Sequence, residues 1–111
     1  MVNPDLGPTQ VVTVFRSRLR PDANPAYGEL AEEMEAAARK TPGFVDFKVF
    51  TAPDGERVSL ITFATAEAQR AWRDDPNHRE AQRRGRDEFY QEYSIQVTDC
   101  VQVRQWEFGS S

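Results

Sequence analysis

His78 is the one histidine in the chain. Unperturbed, imidazole is the side chain whose charge changes near neutral pH. Two roles are open to it. It could act as a general base on a phenol, or donate to a developing oxyanion. It could equally sit at a helix start beside Pro76 and satisfy backbone groups. Gln82 follows one helical turn later, and the neighbouring Asn77 reads as a helix cap. Tyr27, Tyr90 and Tyr93 each carry a hydroxyl able to donate to a quinone or phenolate oxygen, or to rest at the surface above a packed ring. Tyr90 adjoins Phe89, so only one of the two is expected to point inward. Arg16 and Arg18 share one strand face, where they could stabilise an enolate or phenolate or form an inter-subunit ion pair. Ser17 points the opposite way, toward the side of Phe15.

Metal and redox-cofactor chemistry is poorly served. One histidine cannot build a three-ligand zinc site, and no carboxylate pair stands at metal spacing. Cys100 is the sole cysteine, which excludes an intramolecular disulfide and a CxxC motif. It reads as a small buried apolar residue within a strand. Gly55 and Gly85 are isolated rather than part of a phosphate-cradling loop, which disfavours a bound flavin. No cofactor and no metal are expected.

These residues need elements to position them. Val11 to Leu19 alternates as a β-strand, with Val11, Thr13, Phe15, Ser17 and Leu19 on one side. Asn24-Pro25 gives a cap followed by proline at the first helical position. Tyr27, Leu30, Ala31, Met34, Ala37 and Ala38 then recur at helical spacing until Thr41-Pro42-Gly43. Phe44 to Phe50 and Val58 to Phe63 are strands joined by Ala52-Pro53-Asp54-Gly55, a hairpin signal. Thr65 caps a short helix carrying Ala68, Ala71 and Trp72. Asp74-Asp75-Pro76-Asn77 breaks it and caps another, with His78, Ala81, Gln82, Gly85 and Phe89 at spacings of three and four. Ile95 to Val103 alternates as the last strand, and Trp106 and Phe108 close the chain.

The order is β-α-β-β-α-β, an α+β, ferredoxin-like split βαβ arrangement with a four-stranded antiparallel sheet. Residues 1–10 form a loose arm, 11–108 one domain and 109–111 a loose end. Helices cover one sheet face only, yet apolar residues occupy both parities of the strands: Val12 and Val14 against Phe15, Leu60 against Ile61 and Phe63. A bare second face would be a large apolar patch. Pairing with a copy of the chain, to give a dimeric α/β barrel, is the expected solution. A pocket between sheet and helices, lined by Trp72, His78, Gln82 and Phe89, is the expected site.

Composition narrows the partners. A chain of 111 residues is one domain able to bury a core. With 14 basic and 18 acidic residues it lacks the basic excess that grips nucleic acid. The run Arg83-Arg84-Gly85-Arg86 is interleaved with acids and reads as a solvated helix face. No apolar run approaches the roughly 20 residues that span a bilayer. Met1 to Gln10 lacks a signal-peptide pattern, so the cytoplasm is the expected compartment.

Four stretches carry a resemblance: VVTVFRSRLRPD, TPGFVDFKVF, VSLITFATAEAQRAW and DDPNHREAQRRGRDEFYQEY. Over residues 11 to 104 the chain resembles the antibiotic biosynthesis monooxygenase domain, a dimeric α/β-barrel family. The resemblance implies oxidation of a small phenol, quinone or polyketide-like substrate without metal or flavin. In that setting His78, Trp72 and Arg16 would be catalytic, and Trp72 would form a wall on which an aromatic substrate stacks. Ser17, Tyr27, Gln82, Phe89 and Tyr93 would bind the substrate. Two alternatives stand beside it: a non-catalytic dimeric module for a small hydrophobic ligand or a stress-associated protein, and a haem-binding or haem-degrading relative. The haem-degrading branch uses an Asn, a Trp and a His. Here Trp72 matches, Ser17 stands at the Asn position and Gln82 at the haem-ligating His position, with His78 one turn earlier.

Overall fold

A computed structural model describes residues 3–22 and 26–109. The helix start read at Asn24-Pro25 and the final Ser110-Ser111 lie outside the described residues. The elements run β1 (Val11–Leu19), α1 (Ala26–Lys40), β2 (Phe44–Thr51), β3 (Arg57–Phe63), α2 (Ala66–Arg73), α3 (Pro76–Arg84), a π-helical turn (Gly85–Phe89) and β4 (Tyr90–Asp99). The strands form one antiparallel sheet in the order β2-β3-β1-β4. This is the ferredoxin-like α+β fold expected from the sequence. No helix among the described residues is long and apolar enough to cross a membrane.

Local chemistry explains the boundaries. α1 buries Tyr27, Leu30, Met34 and Ala38 at spacings of three and four, and its last turn carries Arg39 and Lys40 against the dipole. The Thr41 hydroxyl donates to the Ala37 carbonyl at 2.9 Å. Gly43 then takes φ 92°, a left-handed value at which a side chain would be strained. The Thr65 hydroxyl accepts from the Ala68 N–H and starts α2. The Asp75 carboxylate accepts from the N–H groups of Asn77 and His78 and starts α3. The cap is therefore Asp75 and not Asn77, because a side chain one residue before proline reaches the orphan N–H groups that follow it.

Register sets the faces. Thr13, Phe15 and Ser17 of β1 pair with Ile61, Ser59 and Arg57 of β3, and with Val97, Ile95 and Tyr93 of β4. All these side chains share the helix-facing side. One core cluster gathers Tyr27, Leu30, Met34, Ala81, Phe89 and Tyr90. The other gathers Ala38, Ile61, Phe63, Ala68 and Trp72. On the opposite face, Val12, Val14, Val58 and Leu60 are half-buried and Phe50 is exposed. β4 presents Glu92, Ser94, Gln96 and Thr98 there, so the two-sided apolar pattern does not extend to this strand.

Three local expectations change. The last strand begins at Tyr90 and ends at Asp99, instead of running from Ile95 to Val103. Cys100 lies beyond it, half-buried, with its N–H donating to the Gln10 carbonyl at 2.9 Å. The N-terminal arm is tied to the far end of the chain: the Asn3 N–H donates to Gln105 Oε1 at 2.7 Å, and Gln105 Nε2 donates to the Asn3 carbonyl at 2.9 Å.

Candidate functional site

A mostly apolar cavity of about 440 Å³ lies between the sheet and the helices. Its floor is Thr13, Phe15, Phe47, Ser59, Ile61 and Ile95 of the sheet. Tyr27, Ala31 and Met34 of α1, Gln69 and Trp72 of α2, and His78 and Gln82 of α3 form the opposite wall, with Arg57 and Tyr90 at the side. A second recess of about 500 Å³, edged by Glu33, Lys40, Asp75 and Glu80, is open and charged. None of the buried unpartnered groups lines it.

Trp72 and His78 form the centre of the wall. Their ring centroids are 4.0 Å apart, and Trp72 packs on Phe63 at 5.4 Å. The turn capped by Asp75 places His78 directly after α2, which is why two residues six apart in sequence stack. The Arg73 carbonyl lies near enough to the His78 ring to favour its protonated form, and Nδ1 is buried with no hydrogen-bond partner. Burial pushes the His78 pKa down to about 4, against a smaller opposing effect of the Arg73 carbonyl and of Asp75. The imidazole is therefore neutral at physiological pH, with one ring nitrogen a donor and the other an acceptor.

Two further buried polar atoms lack a protein partner: the Trp72 indole N–H and the Thr13 hydroxyl. Both residues line the same cavity as His78. Leaving a buried donor or acceptor unsatisfied costs about 1–3 kcal/mol.

The far side of the cavity is aromatic. The Tyr27 and Tyr90 hydroxyls are 3.3 Å apart, and Tyr90 also stands 4.0 Å from the Met34 sulfur. Burial, with the Tyr27 hydrogen bond added, holds the Tyr90 phenol well above its ordinary pKa. The π-helical turn makes this packing possible. It carries the chain from helix to strand within one residue, so Phe89 and Tyr90 are both buried rather than alternating. Gly85 opens the space: a Cβ there would meet Cε2 and Cδ2 of the Tyr90 ring. Arg20 secures the turn, donating to the carbonyls of Tyr90, Asp87 and Arg86 at 3.0, 3.0 and 2.6 Å.

The structure brings together Trp72, His78, Gln82, Tyr27 and Tyr90 of the residues singled out from the sequence. It separates the others. Arg16 faces the outer side of the sheet, where Nε and an Nη donate to both carboxylate oxygens of Glu56 at 3.1 and 2.8 Å. That pair lies within one chain and away from the cavity. Ser17 is on the helix-facing side and buried, but beside Tyr93, outside the cavity wall. Phe89 packs against Tyr27 at 5.6 Å in the core. Tyr93 stacks on Phe15 at 5.3 Å and takes a hydrogen bond from Arg86 at 3.3 Å.

Thr13, Gln69 and Arg57 join the site without having been singled out. Thr13 shares the parity of Phe15, and Arg57 that of Ile61, so the alternation carried the signal for both. The haem arrangement fits poorly. Gln82 offers no imidazole, and Ser17 lies outside the cavity. Among the described residues, no group of three or more His, Cys, Asp or Glu side chains converges as a metal-ligand set.

Comparison with known proteins places this geometry. The uncharacterized protein YqjZ of Bacillus subtilis (strain 168) is 28% identical over 91 residues, covering 82% of this chain and 80% of that protein. Rv0793 from Mycobacterium tuberculosis superposes with a TM-score of 0.70 at 20% identity, covering 91% of this chain and 99% of its own. SnoaB from Streptomyces nogalater, described as a cofactor-independent oxygenase, gives a TM-score of 0.69 at 15% identity, covering 92% of this chain and 99% of its own. At these identities the two structures speak for the fold. The family model of the antibiotic biosynthesis monooxygenases matches residues 10–84, the span from β1 through α3 that builds most of the cavity, and the chain belongs to that family.

Proposed function

We propose that the chain is a cofactor-independent monooxygenase acting on a small hydroxylated aromatic, and that it works as a homodimer. The observation that carries the reading is that three residues lining one largely apolar cavity, Trp72, Thr13 and His78, each hold a buried polar atom without a partner. The Trp72 indole donates, and Thr13 and His78 can each donate or accept, enough to fix a phenolic or carbonyl oxygen while the ring lies in the cavity. Family membership and the likeness to SnoaB support the same chemistry.

The reaction needs no external reductant. In an anthrone-like substrate, a ring CH₂ becomes C=O as O₂ supplies one oxygen to the product and one to water. The substrate provides all four electrons and both protons of that water. The substrate gives its acidic proton to solvent as it binds, the resulting anion is electron-rich enough to pass an electron to O₂, and the protein contributes a dry site and stabilisation of the anion. The Trp72 N–H and the Thr13 hydroxyl are placed to donate to the anionic oxygen. His78 takes a different part from the general base expected of it. With a pKa of about 4 it is some six units below a phenol, which makes proton abstraction uphill by about 8 kcal/mol. Its neutral ring orients a substrate hydroxyl by a hydrogen bond.

Oxygen-electrode measurements with an anthrone as substrate and no added metal, flavin or haem test the proposal. Uptake above the uncatalysed rate, reduced in Thr13→Val, is expected. Uptake equal to background supports a binding module instead.

A further inference from the structure

We infer that Arg57 is the anchor for an acidic group on the ligand, so that the cavity selects aromatic carboxylates over neutral aromatics. The inference rests on the reading of the cavity as an aromatic site and adds the charge of its occupant.

Arg57 opens β3 and pairs with Ser17 of β1 and Thr51 of β2, which sets its side chain on the helix-facing side. The guanidinium carbon lies 5.1 Å from the centroid of the Tyr27 ring, and the residue is half-buried in the cavity wall. Stacking occupies the face of the guanidinium and leaves its in-plane N–H fork unused. Two arginines line the cavity. Arg73 is held by Asp74 at 3.0 Å, whereas Arg57 has no ion pair or hydrogen bond among the described residues. The acids nearby do not supply one. Glu35 is committed to Arg39 at 2.7 Å, and Glu32 lines the cavity without coming within ion-pair distance of Arg57. A partly desolvated guanidinium with a free fork is matched by a bidentate carboxylate.

Position adds a length. Arg57 and Ile61 are four residues apart on β3, about 13 Å along the strand, and Ile61 packs in the cluster that holds Trp72. A ligand engaging both ends is elongated, with a carboxylate at one end and a hydroxyl near Trp72, Thr13 and His78 at the other. A bicyclic or tricyclic hydroxy acid has that form.

Calorimetric titration with 6-hydroxy-2-naphthoic acid and with its neutral amide, at pH 7.5, tests this on the intact protein. In the wild type the acid is expected to bind about 10- to 100-fold more tightly than the amide, the range of a charge-assisted pair. Arg57→Gln should abolish that preference by bringing the acid down to the affinity of the amide, and circular dichroism with urea unfolding reports that the fold is intact. Arg57→Lys should restore part of it. Equal affinity for acid and amide in the wild type, or a preference that survives in Arg57→Gln, overturns the inference and leaves the aromatic site standing. Failure of both probes to bind the wild type overturns the reading of the cavity and the inference together.

Discussion

Trp72 and His78 stack with their ring planes 34° apart, and each keeps one buried ring nitrogen without a partner. Both residues line the cavity between the sheet and the helices. Most substitutions that would reveal a ligand site act on this pair.

Trp72→Phe keeps a ring in the stack and removes the donor. Ligand affinity is expected to fall about 3- to 10-fold, the worth of one neutral hydrogen bond, with unfolding free energy within about 1.5 kcal/mol of wild type. Trp72→Ala also empties a space next to Phe63 and should cost about 3–5 kcal/mol. Calorimetric titration of the wild type and Trp72→Phe reads the first effect, and urea unfolding reads the second. Unchanged affinity in Trp72→Phe would remove the indole N–H from the site.

His78 makes folding sensitive to acid. Its folded pKa of about 4 lies below the ordinary 6.5, so the unfolded chain binds the extra proton first. The resulting stability is full above about pH 6.5 and is lost as the pH falls toward 4, about 2 kcal/mol of it by pH 5. Urea midpoints at pH 7.5 and 5 should therefore separate more in wild type than in His78→Gln. Equal separation in both proteins would mean that burial does not depress this histidine.

Gly85→Ala forces a methyl group into the Tyr90 ring. A destabilisation of about 1–3 kcal/mol is expected. The double variant Gly85→Ala with Tyr90→Ala should be less unstable than the sum of the single changes, because the clash is shared. Additive losses would show that Gly85 serves the π-helical turn rather than the ring.

The outer sheet face, with Val12, Val14, Val58, Leu60 and Phe50, leads to a fourth expectation. Sedimentation at micromolar concentration should give a species of twice the 12.7 kDa chain mass. Val14→Lys should shift it toward the single chain. A wild-type species of 12.7 kDa would contradict pairing.

Most of the fold was legible because period and punctuation agreed. β1 spans the residues its alternation marked, and the Thr65 cap starts α2 as read. β4 was misread for a physical reason. Its first half, Tyr90 to Ser94, sits on an edge strand and is largely polar, while Val101 and Val103 alternate correctly but have no strand beside them. The π-helical turn left no periodic signal, which hid the joint burial of Phe89 and Tyr90. Within the site, Trp72 and His78 were legible from their chemical types. Arg57 was passed over because β3 was begun one residue too late, at Val58, leaving Arg57 to the turn. Arg16 was overvalued because parity alone does not say which sheet face the helices cover.

Oxygen labelling tests the central claim most directly. The wild type is incubated with an anthrone under ¹⁸O₂ in unlabelled water, with no added metal, flavin or haem, and the product is weighed by mass spectrometry against a protein-free control. One ¹⁸O atom per product molecule, formed faster than in the control and more slowly with Trp72→Phe, is the expected result. Product formed no faster than in the control, or product carrying oxygen from water, would contradict a monooxygenase at the Trp72–His78 cavity.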